Sequence, residues 1–290
     1  MGLPGRVVYA GAGSADRRFG LARRRHSGVM STKLRAKHGS RAGFGGVVAA
    51  LALALATPAA ACEVPLIGRG VPATADADGD LRLEDGRRVR LAGVALDPGL
   101  SAALASAIAE SAIGRPVVLN GPPAADRYGR LAAIVRFEPG APSLQQVLVE
   151  RGLALVRPEE GVSSCLPALL QAEAKARRAR LGLWAASLPN AADVEAIRRH
   201  SGRFLAFEGE ILAVGEGRSV DYLNFGPVWR QDVTVRVPRE QRAAFIAAGK
   251  DPAGLAGRKV RVRGTVFEQD GPAVEARWPE QIEVEGDAGQ

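Results

Sequence analysis

Cys62 and Cys165 are the two cysteines of a 290-residue chain. What they do depends on where the chain resides. In an oxidising compartment two thiols pair. A bridge closing a loop of about a hundred residues contributes ~2–4 kcal/mol through the unfolded state. Cys62 also follows Ala59–Ala60–Ala61 directly, which makes it a place for a lipid anchor. The Leu usual three residues before a lipidated cysteine is absent there. A second reactive surface is the run Tyr222–Leu223–Asn224–Phe225–Gly226–Pro227 with Trp229–Arg230. Exposed aromatic rings stack bases, and a basic groove beside them follows phosphates. Tyr222, Trp229 and Arg230 are the candidate ligand contacts, with Arg261 and Arg263 available as groove cations. Phe225 and Tyr222 alternate with Leu223, so part of this set belongs to a core.

The pI near 10.1 and net charge of +8 point to a polyanion partner at face value. Their location removes that inference. Lys33, Arg35, Lys37 and Arg41 precede an apolar, charge-free run from Val47 to Ala56, then Thr57–Pro58–Ala59–Ala60–Ala61. A basic stretch, a short apolar stretch and small residues at a cleavage site form a secretory signal peptide, here residues 30–61. The apolar run is too short to span a bilayer. Residues 1–29 are Arg- and Gly-rich without apolar periodicity. With Met30 standing where a signal peptide would begin, they read as a mis-assigned start or a disordered leader. Ten of the 39 Lys and Arg but one of the 31 acids precede Cys62, so the remainder carries net −1. Binding by counterion release would need a local patch. The expected location is exported, periplasmic or extracellular, with a lipoprotein at Cys62 as the alternative.

Two small domains fit the remainder, residues 62–188 and 191–290, divided at Leu188–Pro189–Asn190. In the first, Leu81, Leu83, Val89, Leu91 and Val94 predict two strands around a turn at Asp85–Gly86. Leu100–Ala112 reads as a helix, and Pro116–Asn120 and Leu131–Phe137 as strands. Leu144–Arg151 reads as a helix capped by Ser143, and Leu153–Val156 as a short strand. Leu166–Arg180 is a helix stopped by Gly182, with Arg177, Arg178 and Arg180 complementing its dipole. In the second, Ala191–His200 reads as a linker helix. Alternating apolar and polar residues predict strands over Phe204–Val214, Tyr222–Phe225, Val233–Val237, Lys259–Phe267, Val274–Ala276 and Ile282–Val284. A helix, Arg239–Ala248, interrupts them. That order suits a small Greek-key barrel of the OB type.

Four motifs in sequence carry a resemblance. They are Leu81–Arg82–Leu83 with Asp85–Gly86–Arg87 and Val89–Arg90–Leu91 with Gly93–Val94; Asp126 with Tyr128–Gly129–Arg130–Leu131; Leu148–Val149 with Gly152–Leu153–Ala154; and Ala172–Glu173, Ala176–Arg177, Arg180 and Gly182–Leu183–Trp184. Together they resemble the staphylococcal nuclease (thermonuclease) family, whose fold is an OB barrel with packed helices. The second domain is similar to the OB-type module at the C-terminus of some exported members. Active members of the family cleave phosphodiesters with Ca²⁺. That chemistry needs oxygen ligands for the ion, a carboxylate to position water and two arginines on the phosphate. The resemblance places Arg90 and Arg130 at the phosphate clamp. It places the first metal carboxylate at Asp78–Gly79–Asp80, where Asp80 can serve across a one-residue gap. The second metal ligand and the catalytic Glu fall on Ala95 and Pro98, with Asp97 as a shifted substitute.

Plainer roles stand beside these. Arg90 can pair with Asp126 or Glu84, Arg130 can lie over the Tyr128 ring, Asp78 and Asp80 can be turn residues, and Glu173 can serve a helix–barrel ion pair. The fold class expected is β-rich α+β, two small OB-type barrels, the first staphylococcal-nuclease-like. The function expected is an exported thermonuclease-like binding or interaction protein with a degenerate active site and little or no nuclease activity. The alternative is a weak Ca²⁺-dependent nuclease. No cofactor is expected for the first and Ca²⁺ for the second. Single-stranded nucleic acid or an envelope protein is the partner class.

Overall fold

The computed structural model describes residues 7–9, 62–138, 140–228 and 230–286, and all of these belong to one compact unit. The expected signal peptide and nearly all of the leader lie outside the described residues, as does Trp229. A short strand, β1 (Val7–Tyr9), pairs with the edge of the second sheet.

The first sheet contains β2 (Leu66–Gly70), β3 (Pro72–Ala75), β4 (Leu81–Leu83), β5 (Arg88–Leu91), β7 (Val117–Asn120) and β8 (Arg130–Arg136), in the order β2-β7-β8-β5-β4-β3. A separate pair joins β6 (Val94–Leu96) to β9 (Ala154–Val156). Strand alternation divides β5 cleanly: Val89 and Leu91 are buried, Arg88 and Arg90 half-buried on the other face. β5 runs parallel to β8 with Arg88 opposite Arg130, so three arginines are brought to one region of the sheet.

Helices α1 (Ser101–Ser111), α2 (Leu144–Glu150) and α3 (Leu166–Arg178) pack over this sheet. Ser143 caps α2 as expected. Its hydroxyl accepts from the Gln146 amide while the Gln146 side chain accepts from the Ser143 amide, a full capping box. Leu144, Leu148 and Val149 are completely buried beneath that helix, each worth about 1.5–3 kcal/mol of apolar transfer. Gln145, also buried, donates from Nε2 to the carbonyls of Ala92 and Ala133 and accepts from the Val135 amide. It pins α2 to the strands that lead into the arginine cluster.

The second sheet contains β10 (Phe204–Glu210), β11 (Ala213–Glu216), β12 (Val220–Asn224), β13 (Thr234–Pro238), β14 (Lys259–Glu268), β15 (Pro272–Glu275) and β16 (Ile282–Val284). Its path is β1-β11-β12-β13-β15-β14-β10, with β16 on β14. Helix α4 (Val194–Arg198) precedes it, and α5 (Arg242–Ala247) lies between β13 and β14. The single strand expected over 204–214 is two. The Ile211 amide donates to Arg258 and the next amide, of Leu212, to Asn224, so the chain leaves β14 and joins β12.

The expectation of two barrels is met in part. Each sheet encloses its own apolar core. Among the described residues, however, no ladder joins the end strands of either sheet into a ring. The fold is β-rich with helices and open sheets.

The two sheets are tied by charge as well as by apolar contact. Arg263 of β14 and Glu173 of α3 form an ion pair in which each side chain is 1% exposed. Glu173 Oε1 also accepts from the Val156 amide at 2.8 Å. Arg177 is bidentate to Glu283, and Arg261 holds both Glu208 and Glu283. Arg261 and Arg263, read from sequence as groove cations, are therefore committed to fixing one sheet on the other. The helix-end Arg177 likewise has a partner across the seam, beyond any dipole effect. Cys62 and Cys165 form a disulfide that joins the start of this region to the entrance of α3. A Cys62 sulfur engaged there is not available for a thioether lipid.

Candidate functional site

The turn before β4 fixes Asp80. Asp76 accepts the amides of Asp78 and Asp80 on Oδ1, closing a tight loop. Gly79 inside it has φ +78°, and a Cβ there would lie 2.2 Å from Leu96 Cδ1. Only glycine fits both the backbone and the space. Asp78 is thus an exposed turn residue, as the plain reading held. Asp80 is more than that: it is 5% exposed and turned inward.

What Asp80 meets is Arg130. Arg130 Nη1 donates to Asp80 Oδ2 at 3.0 Å, and Arg88 Nη2 reaches the same oxygen at 3.4 Å. Arg130 also donates from Nε to Asp126 Oδ2 at 2.9 Å, and its Nη2 is 2.8 Å from that oxygen. Its amide donates to Asp126 Oδ1. Burial would push the Asp126 carboxyl up. The Arg130 amide and guanidinium and the Tyr128 amide outweigh it and hold the pKa at about 2. The same hydrogen bond to Asp126, ahead of that to Asp80, raises Arg130. Arg130 lies 5.2 Å from the Tyr128 ring centroid, so the cation–π reading holds too.

Arg90 pairs with neither Asp126 nor Glu84. Its partner is Glu159, which meets Nη1 at 3.2 Å and Nη2 at 2.9 Å. Glu159 Oε1 also accepts the Gly93 amide, so this carboxylate is locked from two sides. Asp97 caps the short turn Pro98–Leu100, accepting the Gly99 amide on Oδ1 at 2.7 Å.

These groups converge on a cleft of about 510 Å³ between the two sheets. Asp78, Asp80, Arg90, Arg130 and Asp97 line it from the first, His200, Arg203 and Phe204 from the second, and Arg157 lies just past β9. Residues 102–186 match the family model for staphylococcal nuclease homologues. No curated protein matches the chain. The matched stretch starts at α1 and includes Asp126–Arg130 and Glu173, while Asp80, Arg90, Ala95 and Asp97 precede it.

The staphylococcal nuclease resemblance implies calcium, and the donor set does not fit that ion. Calcium takes six to eight oxygens. Here Asp80 Oδ2 is occupied by two guanidinium groups, Asp97 by its cap, and Ala95 and Pro98 offer no side-chain oxygen. Among the described residues no group of three His, Cys, Asp or Glu is placed to hold a metal. Asp80 and Asp97, the metal and shifted-acid candidates, are thus an ion-pair partner and a cap.

The second aromatic surface is less convergent. Tyr222 lies beneath Arg236, 5.9 Å from guanidinium to ring centroid. Phe225 is buried edge-to-face against Phe207. Arg230 is exposed at φ +74° and lies 3.7 Å from Asp270. Sequence reading missed Glu159, Arg157, Arg203 and His200. Glu159 is 69 residues from Arg90 in an irregular loop without periodicity, so no local pattern marks it. Arg157 and Arg203 flank strands and could be found only by knowing which strand ends meet.

Proposed function

We propose that this is an exported binding or interaction protein on a thermonuclease-like scaffold with a degenerate active site, cleaving phosphodiesters little or not at all. One observation carries the reading: both clamp arginines are neutralised by the chain's own carboxylates, Arg90 by Glu159 and Arg130 by Asp80 and Asp126. A cation already satisfied at hydrogen-bonding distance has little to gain from phosphate charge developing in a transition state. With Ala95 and Pro98 at the ligand and base positions, no side chain there holds or deprotonates an attacking water. Export is supported by the leader's charge pattern and by the Cys62–Cys165 bridge, which an oxidising compartment preserves. We read residues 62–188 and 191–290 as two OB-type modules that act as one body, since a buried ion pair joins them.

The weak Ca²⁺-dependent nuclease remains the second reading, on the ground that Arg90, Arg130, Asp78, Asp80 and Asp97 line one cleft. Incubating the purified protein at high concentration with single-stranded DNA and calcium separates the two. The binding reading expects no cleavage. Digestion that stops with chelator and disappears in Arg130→Ala establishes the nuclease instead.

A further inference from the structure

The four arginines of the cleft fall into two kinds. Arg90 and Arg130 are matched by carboxylates. Arg157 and Arg203 are exposed, and among the described residues neither lies within ion-pair distance of an acid. The Arg157 guanidinium is 5.7 Å from the centroid of the Phe204 ring, so a cation just past β9 faces an aromatic residue of the second sheet. His200, the only histidine among the described residues, is half-buried in the same cleft. Unmatched guanidinium groups beside an aromatic ring are the parts of a phosphate site, since the guanidinium fork meets phosphate oxygens in pairs.

The ligand's size follows from the rest of the cleft. Its 510 Å³ lies in the range of small-molecule sites. Asp78 and Asp97 line it as well and repel a chain of phosphates. The region from Cys62 onward carries net −1, so it gives no field to hold a long polyanion. A single terminal phosphate placed on the Arg157–Arg203 side avoids both objections. Leu183, Leu188 and Phe204 supply apolar surface for whatever the phosphate is attached to.

We propose that the cleft between the two sheets binds a small phosphomonoester with a planar apolar body, its phosphate held by Arg157 and Arg203. This rests on the reading of the chain as a binding protein and supplies its ligand class. The site draws its lining from both halves of the fold, which the buried Glu173–Arg263 pair joins. The matched arginines Arg90 and Arg130 stay on their carboxylates and shape the floor.

Calorimetric titration with adenosine 5′-monophosphate as probe tests it, against adenosine and inorganic phosphate. The nucleotide should bind at least tenfold more tightly than either. Arg157→Ala with Arg203→Ala should lose at least tenfold in affinity with the melting temperature held. Arg199→Ala, exposed and outside the cleft, should bind as the parent does. Equal affinity for adenosine removes the phosphate role. Equal affinity for inorganic phosphate removes the apolar one. Unchanged affinity in the double variant removes the assignment of residues. No nucleotide binding by a protein that also leaves DNA intact overturns this site while the proposed function stands. Calcium-dependent cleavage by a protein that binds through Arg157 and Arg203 overturns the proposed function and upholds the site.

Discussion

Glu159 holds Arg90 through both carboxylate oxygens, and the same Glu159 accepts the Gly93 amide between β5 and β6. The pair is partly buried, with Arg90 26% and Glu159 19% exposed. Its consequence is chemical: the arginine that resembles a phosphate clamp is balanced before any ligand arrives. Glu159→Ala frees the guanidinium within the cleft. The expected outcome is several-fold tighter binding of inorganic phosphate together with a stability loss of about 1–3 kcal/mol, the cost of a lost charged hydrogen-bond pair. Calorimetry and denaturant titration of the same variant read both. Phosphate affinity unchanged by the substitution contradicts the balance described.

Asp126 gives the fold an acid-sensitive joint. Its folded pKa, about 2, lies below the ordinary 3.8. A carboxyl depressed on folding stabilises above its unfolded pKa and loses that contribution as pH falls through its folded one. The window is therefore roughly pH 4 down to pH 2. Denaturant midpoints should fall across it, and Asp126→Asn should be less stable near neutrality with a shallower fall below pH 4. Burial pushes the Glu283 carboxyl up, but Arg177 and Arg261 outweigh it and lower it, so Glu283 adds to the slope. Identical pH profiles for parent and Asp126→Asn would refute the assignment.

The Glu173–Arg263 pair is the most buried charge contact described. Removing one partner leaves the other's charge in an apolar seam, which costs about 3–5 kcal/mol. Arg263→Ala should lower the unfolding free energy by that amount, read from denaturant titration. Arg263→Met combined with Glu173→Gln should recover much of it, since Gln can still accept the Val156 amide. A double variant no more stable than Arg263→Ala argues against the cause given.

The disulfide spans 103 residues. Reduction, or Cys165→Ser, should destabilise by about 2–4 kcal/mol without changing the native circular dichroism. Free-thiol titration of the purified protein checks that both sulfurs are engaged.

Where local pattern decides structure, the sequence was a good guide. The Ser143 cap, the apolar stripe and basic end of α3 and, apart from the break between β10 and β11, the alternating strands of the second sheet stand close to their expected positions. The first two strands of the nuclease-like sheet were not visible, because Gly68, Gly70 and Pro72 interrupt their alternation and only pairing with β7 and β4 makes them strands. The candidate residues were legible and their bonds were not. Arg90, Arg130 and Asp80 line one cleft, but their state depends on partners that folding selects: Glu159 is 69 residues from Arg90, and Asp80 is 50 from Arg130. The same holds for Arg261 and Arg263, whose alternation in a strand looks like a groove and whose neighbours make it a seam.

A crystal structure grown in millimolar calcium reads the central claim directly. The account predicts Arg90 seated on Glu159, Arg130 on Asp80 and Asp126, and no ion between Asp80 and Asp97. A calcium ion coordinated there by several carboxylate oxygens, with both guanidinium groups swung free toward the cleft, would contradict it.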